Sequence, residues 1–186
     1  FAGIQDPYPT CASNSGKKLR AIGGIAASNT PLVYIWENLV GSTASGDFSN
    51  PNACAVNNSG DFVGTGDSRN PALHAANGTI TVFRNADFNC FNVACGALNI
   101  SNDGKILISA TSSAGGLNNV TWIVDGANRT MLSGFDSATG MNNFGEVVGF
   151  SPTVDGRKAI LYKGGQIYKL DEMIDPALGI RFGRPY

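Results

Sequence analysis

One histidine, a handful of turn-borne carboxylates and four cysteines are the residues of this 186-residue chain best placed by type to cut, bind or crosslink. A nucleophilic hydrolase needs a base beside its nucleophile, and only His74 could serve. It stands between Leu73 and Ala75 in a strand-like run, and no Gly-x-Ser-x-Gly elbow accompanies it, so it reads as a packed or surface histidine. A glycosidase needs two facing carboxylates. The candidates Asp61, Asp103, Asp125 and Glu146 fall mainly at turns, where backbone hydrogen bonding is the expected task. Those oxygens leave calcium open, but no Asp-x-Asp-x-Asp-Gly loop is present, and no cofactor is expected. Gly23-Gly24 and Gly115-Gly116 lack the Lys-Ser/Thr that completes a phosphate loop.

Cys11, Cys54, Cys90 and Cys95 are even in number and lie near turns or strand edges. The gap in Cys90-Phe91-Asn92-Val93-Ala94-Cys95 suits a metal knuckle, but the other two cysteines are isolated, which favours disulfides. Three pairings are open. Short-loop closure favours Cys90–Cys95, with Cys11–Cys54 as the remainder. Disulfides imply an oxidising compartment.

The elements that must position these residues are repeats. One phrase is written three times, as Val56-Asn57-Asn58-Ser59-Gly60-Asp61-Phe62-Val63-Gly64, Ile100-Ser101-Asn102-Asp103-Gly104-Lys105-Ile106-Leu107-Ile108 and Met141-Asn142-Asn143-Phe144-Gly145-Glu146-Val147-Val148-Gly149. The starts are 44 and 41 residues apart, a period of propellers and solenoids. An apolar residue, two or three of Asn, Asp and Ser, a Gly and a β-branched run spell strand, tight turn, strand. Gly60, Gly104 and Gly145 are the expected positive-φ positions. A second hairpin follows, turning at Asn77-Gly78 in one copy and Gly164-Gly165 in another. Trp36 and Tyr162 read as matching strand positions, with Trp122 nearby, and their recurrence favours packing between units over a sugar-stacking platform.

This pairing of phrases resembles the HAF-type extracellular repeat family, whose repeats join an Ile-Asn-Asp-x-Gly-Gln-Val-Val-Gly turn to a His-Ala-Phe-Leu-Trp strand and an Asn-Gly-Thr turn. The match is best in Met141–Gly149 with Ala159–Leu170 and in Val56–Gly64 with Asn77–Val82, and it covers roughly residues 20 to 180. The histidine that names the family is absent: Pro71 and Lys158 take its place. The resemblance implies a secreted or surface-attached propeller-like protein without assigned chemistry. Ser101-Asn102-Asp103-Gly104-Lys105 superficially resembles the Asp-box of sialidase propellers, but the companion Thr-Trp is displaced to Thr121-Trp122.

Composition agrees with a turn-rich β protein. Charged residues are only 15% of the chain, against the usual quarter, while Gly contributes 24 residues and Asn 19. A net charge of −1 gives no electrostatic case for nucleic acid, and no apolar run is long enough for a membrane span. The five Asn-x-Ser/Thr triplets, at Asn57, Asn77, Asn99, Asn119 and Asn128, mean glycan only in a host with that machinery.

The expected fold is all-β, a small β-propeller or propeller-like array of about four antiparallel repeat units. The units are expected at 17–50, 54–88, 97–135 and 138–171, after an N-terminal arm at 1–16. Residues 172–186 are expected to supply a strand, through Leu178, Ile180 and Phe182, that closes the ring or is exchanged with a neighbour. The expected function is that of a secreted, non-enzymatic structural, matrix or adhesion subunit, with itself or another extracellular protein as partner. The alternative is a secreted glycan-active hydrolase or lectin on the same scaffold.

Overall fold

The computed structural model describes residues 11–12, 18–25, 31–37, 40–44, 50–65, 70–88, 90, 95–110, 120–153, 156–175 and 177; side chains are described from residue 55 onward, apart from 65, 110 and 153. The described residues form four four-stranded antiparallel sheets and no α-helix. Sheet 1 holds β1 (Cys11–Ala12), β2 (Lys18–Ile25), β3 (Pro31–Glu37) and β4 (Val40–Ala44). Sheet 2 holds β5 (Asn50–Val56), β6 (Phe62–Thr65), β7 (Pro71–His74) and β8 (Ile80–Val82). Sheet 3 holds β9 (Cys95–Ile100), β10 (Ile106–Ala110), β11 (Thr121–Asp125) and β12 (Asn128–Met131). Sheet 4 holds β13 (Ser137–Met141), β14 (Val147–Thr153), β15 (Gly156–Lys163) and β16 (Gln166–Lys169).

Every sheet is a simple meander, its strands hydrogen-bonded in chain order. The first strands carry the contacts between sheets: β5 packs on β1 to β3, β9 on β5 to β7, and β13 on β9 and β10. The result is a propeller-like array of four units, as the repeats imply. The unit boundaries shift. The first sheet begins at β1, so Cys11–Ala12, within the expected N-terminal arm, is a strand paired with β2 through Cys11↔Arg20 and Ala12↔Leu19. The second begins at Asn50, earlier than expected. Leu178, Ile180 and Phe182, and with them the expected closing strand, lie outside the described residues.

Alternation along the strands explains how one sheet serves two neighbours. In β10, Ile106 and Ile108 face sheet 2, while Leu107 faces sheet 4. In β11, Val124 joins the first group and Ile123 the second. Successive side chains of a strand point to opposite faces, so a sheet covered on both sides reads as a continuous apolar run. Ile106-Leu107-Ile108 is such a run.

Phe88 fills the joint between sheets 2 and 3. It is fully buried, lies edge-to-face with Phe83 and Trp122, and has the Arg129 guanidinium 4.9 Å above its ring. The Trp122 indole N–H donates to the Phe88 carbonyl at 3.1 Å. Trp122 is thus a packing residue. It does not share a slot with Trp36 or Tyr162: Trp122 lies opposite Ile108, Trp36 opposite Leu19 and Tyr162 opposite Val147. Sequence spacing misaligned them because the loops between the second and third strands differ in length from unit to unit.

Cys90 and Cys95 form a disulfide with Cα atoms 5.9 Å apart, and both are buried in the core between sheets 2 and 3. The bridge staples the start of β9 to the chain just after the short helical turn Asn85–Phe88. Cys11 sits on β1 and Cys54 on the neighbouring β5, but neither side chain is among those described.

Candidate functional site: the stacked repeat turns

The three phrases fold into the same hairpin. In each, the first turn residue donates its N–H to the carbonyl four positions on: Asn57 to Asp61 at 3.0 Å, Ser101 to Lys105 at 2.9 Å and Asn142 to Glu146 at 3.0 Å. The same residue accepts from the glycine N–H three positions on, at 3.1 Å in all three. Its side-chain oxygen accepts a third bond, from the N–H of Asp61 at 2.9 Å, Lys105 at 2.9 Å and Glu146 at 3.0 Å. Serine replaces asparagine in the middle copy because its Oγ reaches the same donor. Gly60, Gly104 and Gly145 have φ of 85°, 88° and 77°, where a Cβ is strained.

The second turn residue is Asn in every copy, and it links one turn to the next. The Asn58 N–H donates to Asn102 Oδ1 at 2.9 Å, and the Asn102 N–H donates to Asn143 Oδ1 at 2.9 Å. Asn57 adds a bond from Nδ2 to the Ser101 carbonyl at 3.3 Å. The turns form a ladder across three sheets, with each N–H pointing to the following unit. Replacing Asn102 with Ala removes the acceptor for Asn58 and should lower stability by about 1 kcal/mol. Urea unfolding of this variant beside Asn77→Ala, whose side-chain oxygen accepts from nearby Thr79, checks that the loss belongs to the ladder.

The carboxylates at these turns are engaged in holding them. Asp61 accepts from Asn57 Nδ2 at 2.9 Å and from the Ala76 N–H at 2.8 Å, joining the two hairpins of its sheet. Asp103 is bonded to Lys105 and to the Ser101 hydroxyl. Glu146 accepts from Asn142 Nδ2 at 2.6 Å and pairs with Lys163 at 2.9 Å. The Lys105 bond, then the Ser101 bond, lowers the Asp103 pKa from its ordinary 3.8; Lys163, then Asn142, lowers that of Glu146 from 4.5. Lys158 does the same for Asp171.

A carboxylate with a folded-state pKa below its unfolded one stabilises the fold above the unfolded value and loses that contribution as pH falls through the folded one. Stability should therefore hold steady above about pH 5 and decline below about pH 4. The decline is small because these pairs are solvent-exposed. Thermal melts across pH should show a weaker acid decline for Asp103→Asn.

His74 is buried and its ring stacks on Phe62, with centroids 4.7 Å apart and planes at 19°. It packs between β6 and β7, whose register sets it opposite Phe62. Asn57 is buried too, so this triplet presents no accessible amide for glycan. Asn77-Gly78 forms the tip of the second hairpin as the spacing implies: the Gly78 N–H donates to the Ala75 carbonyl at 2.9 Å, and Asn77 Oδ1 accepts from Thr79 at 2.9 Å. Among the described residues, no three His, Cys, Asp or Glu side chains converge as a metal site would require.

Two features of the site escaped the spacing argument. Ala12-Ser13-Asn14-Ser15-Gly16 is a fourth copy of the phrase, starting 44 residues before Val56. The polar run after Gly16, Lys17-Lys18, hid it. The constancy of Asn at the second turn position was visible at 58, 102 and 143, while its use between units was not.

No protein-family model matches the chain, and no curated protein sequence does. It is similar in structure to TolB from Acinetobacter baumannii, with a TM-score of 0.56 and 12% identity over 90% of this chain. The chain spans 43% of that TolB chain. The likeness is one of fold alone, and it supports an all-β, propeller-like array.

Proposed function

We propose that this chain is a secreted or surface-exposed, non-enzymatic repeat protein of the HAF type, serving as a structural, matrix or adhesion subunit that acts through its surface. The observation that carries this reading is the use made of the turn carboxylates. Asp61, Asp103 and Glu146, three of the four acids considered for hydrolysis, are each bonded within their own sheet, and the asparagines beside them bind turn to turn. The Cys90–Cys95 disulfide fits an oxidising compartment. No helix among the described residues is long and apolar enough to cross a membrane.

Light scattering on native material, before and after reduction, tests the reading. A subunit should show a mass that rises with concentration. Saccharide turnover abolished by Asp103→Asn or Glu146→Gln would instead establish the hydrolase reading.

A further inference from the structure

Of the chain's 19 asparagines, Asn77 alone is followed by a glycine. It stands at the tip of the β7–β8 hairpin, where Ala76, Asn77, Gly78 and Thr79 are all exposed. The tip closes through the Ala75 N–H on the Thr79 carbonyl at 2.8 Å and the Gly78 N–H on the Ala75 carbonyl at 2.9 Å. The Thr79 N–H donates to Asn77 Oδ1 at 2.9 Å. That bond folds the side-chain amide over the backbone just ahead of it and draws electron density from Cγ. Gly78 has a φ of 90°, and a Cβ built there would meet nothing within 4 Å. No side chain shields the Gly78 nitrogen on that side.

The other turn asparagines lack this combination. Asn57 is buried, with its side-chain oxygen and nitrogen both bonded. Asn58, Asn102, Asn142 and Asn143 are exposed, but Ser59, Asp103, Asn143 and Phe144 follow them, each with a Cβ that crowds its own nitrogen. The β7–β8 hairpin is also the lightest held. β8 is three residues long and lies at the edge of sheet 2, with Val82 44% exposed. A hairpin with few buried contacts opens locally at little cost, and opening releases the Gly78 nitrogen from Ala75.

We propose that Asn77 is a site of spontaneous deamidation, with water as the co-reactant. The Gly78 backbone nitrogen, its proton taken by solvent base, attacks Asn77 Cγ. A Cγ–N bond forms, the Cγ–Nδ2 bond breaks, and Nδ2 leaves as ammonia with a proton from water. The five-membered succinimide adds water at either carbonyl and opens to an aspartate or an isoaspartate at position 77. Nothing is oxidised or reduced. Either product adds a negative charge to a chain whose net charge is −1. The isoaspartate also lengthens the main chain by one carbon inside the turn. That disturbs the bond between the Ala75 N–H and the Thr79 carbonyl and loosens the neighbouring His74↔Ile80 pair. The reaction needs no partner and holds whatever the surface of this chain binds.

Incubation of the folded protein, made in a host that adds no N-linked glycan, tests this by peptide mapping and enzymatic methylation of isoaspartate. Asn77 should convert about tenfold faster than Asn58, Asn102 or Asn143, since no Cβ crowds the attacking nitrogen. Conversion should be faster at mildly alkaline than at mildly acidic pH, because the nitrogen attacks without its proton. Asn77→Gln keeps the amide but must close a larger ring, and should abolish methylation of this peptide. Gly78→Ala should slow conversion too, and Asn77→Gln carries the test if strain at position 78 prevents folding. Converted protein, separated by anion exchange, should unfold at lower urea than unconverted protein. Conversion at Asn77 no faster than at the other three asparagines, or seen only in urea, would overturn the proposal. An isoaspartate form as stable as the unconverted protein would overturn the loosening of β8 from β7.

Discussion

Gly149→Ala is expected to destabilise the protein by about 3 kcal/mol or more, an effect most substitutions by a single methyl never approach. A Cβ on Gly149 would lie 2.2 Å from the Ser137 carbonyl oxygen, 2.9 Å from Ala138 Cα and 2.9 Å from Phe135 Cδ1. Two of those atoms are backbone. They belong to β13 where its register with β14 slips, between Ala138 and Gly140, so the two strands are drawn together at this point. Phe135 is buried in the core between sheets 3 and 4 and has little room to retreat. The constraint is space, not φ. Gly140, nearby on β13, has open room where its Cβ would be, and Gly140→Ala should cost well under about 1 kcal/mol. Urea unfolding of the two variants side by side measures the contrast.

Leu107→Ala is the second large effect. Leu107 is fully buried in the cluster with Ile123, Val147 and Ile160, where sheet 3 meets sheet 4. Removing its side chain should cost about 2–5 kcal/mol, from lost burial plus the cavity left between two sheets that are each held by hydrogen bonds. Val148→Ala occupies the same repeat slot but trims a half-exposed side chain, and should change the stability of the dispersed chain by about 0.5 kcal/mol or less. Equal losses for the two would mean that Val148 is covered within its own chain.

Much of this architecture was legible in the sequence, because the turn chemistry is written in residues with narrow conformational habits. Asn, Asp or Ser followed by Gly specify where a strand reverses, and the period between such runs specifies the unit. The turns at 57–60, 101–104 and 142–145 and the second-hairpin turns at 77–78 and 164–165 stand where the spacing put them. Sheet 1 was harder to read: its phrase is followed by two lysines in place of an apolar run, so its opening strand passed for an arm. Cross-strand register was not legible either. Trp36 and Tyr162 look equivalent in linear sequence, with Trp122 nearby, yet connections of different length set the three in different slots.

The candidate site followed the same pattern. That the carboxylates would serve turns was readable from their neighbours. That Asn58, Asn102 and Asn143 would bridge consecutive turns was not, since linear sequence does not say which hairpins will stack. The difference between Val63, Leu107 and Val148 lies in what each sheet has above it, so identical chemistry at matched positions conceals it.

The chain-order meander of every sheet has a mechanical consequence. Among the described residues, strands pair with strands adjacent in sequence, and the substantial contacts between sheets join neighbouring units. Among those residues, no substantial contact between distant units would hold a sheet shut once its neighbour gives way under tension. The chain should lengthen in discrete steps, one sheet at a time. A unit of some forty residues would release on the order of 140 Å when drawn straight. The ladder through Asn58, Asn102 and Asn143 would be sheared at each step and could re-form on relaxation. Under tension the array should therefore lengthen by whole units.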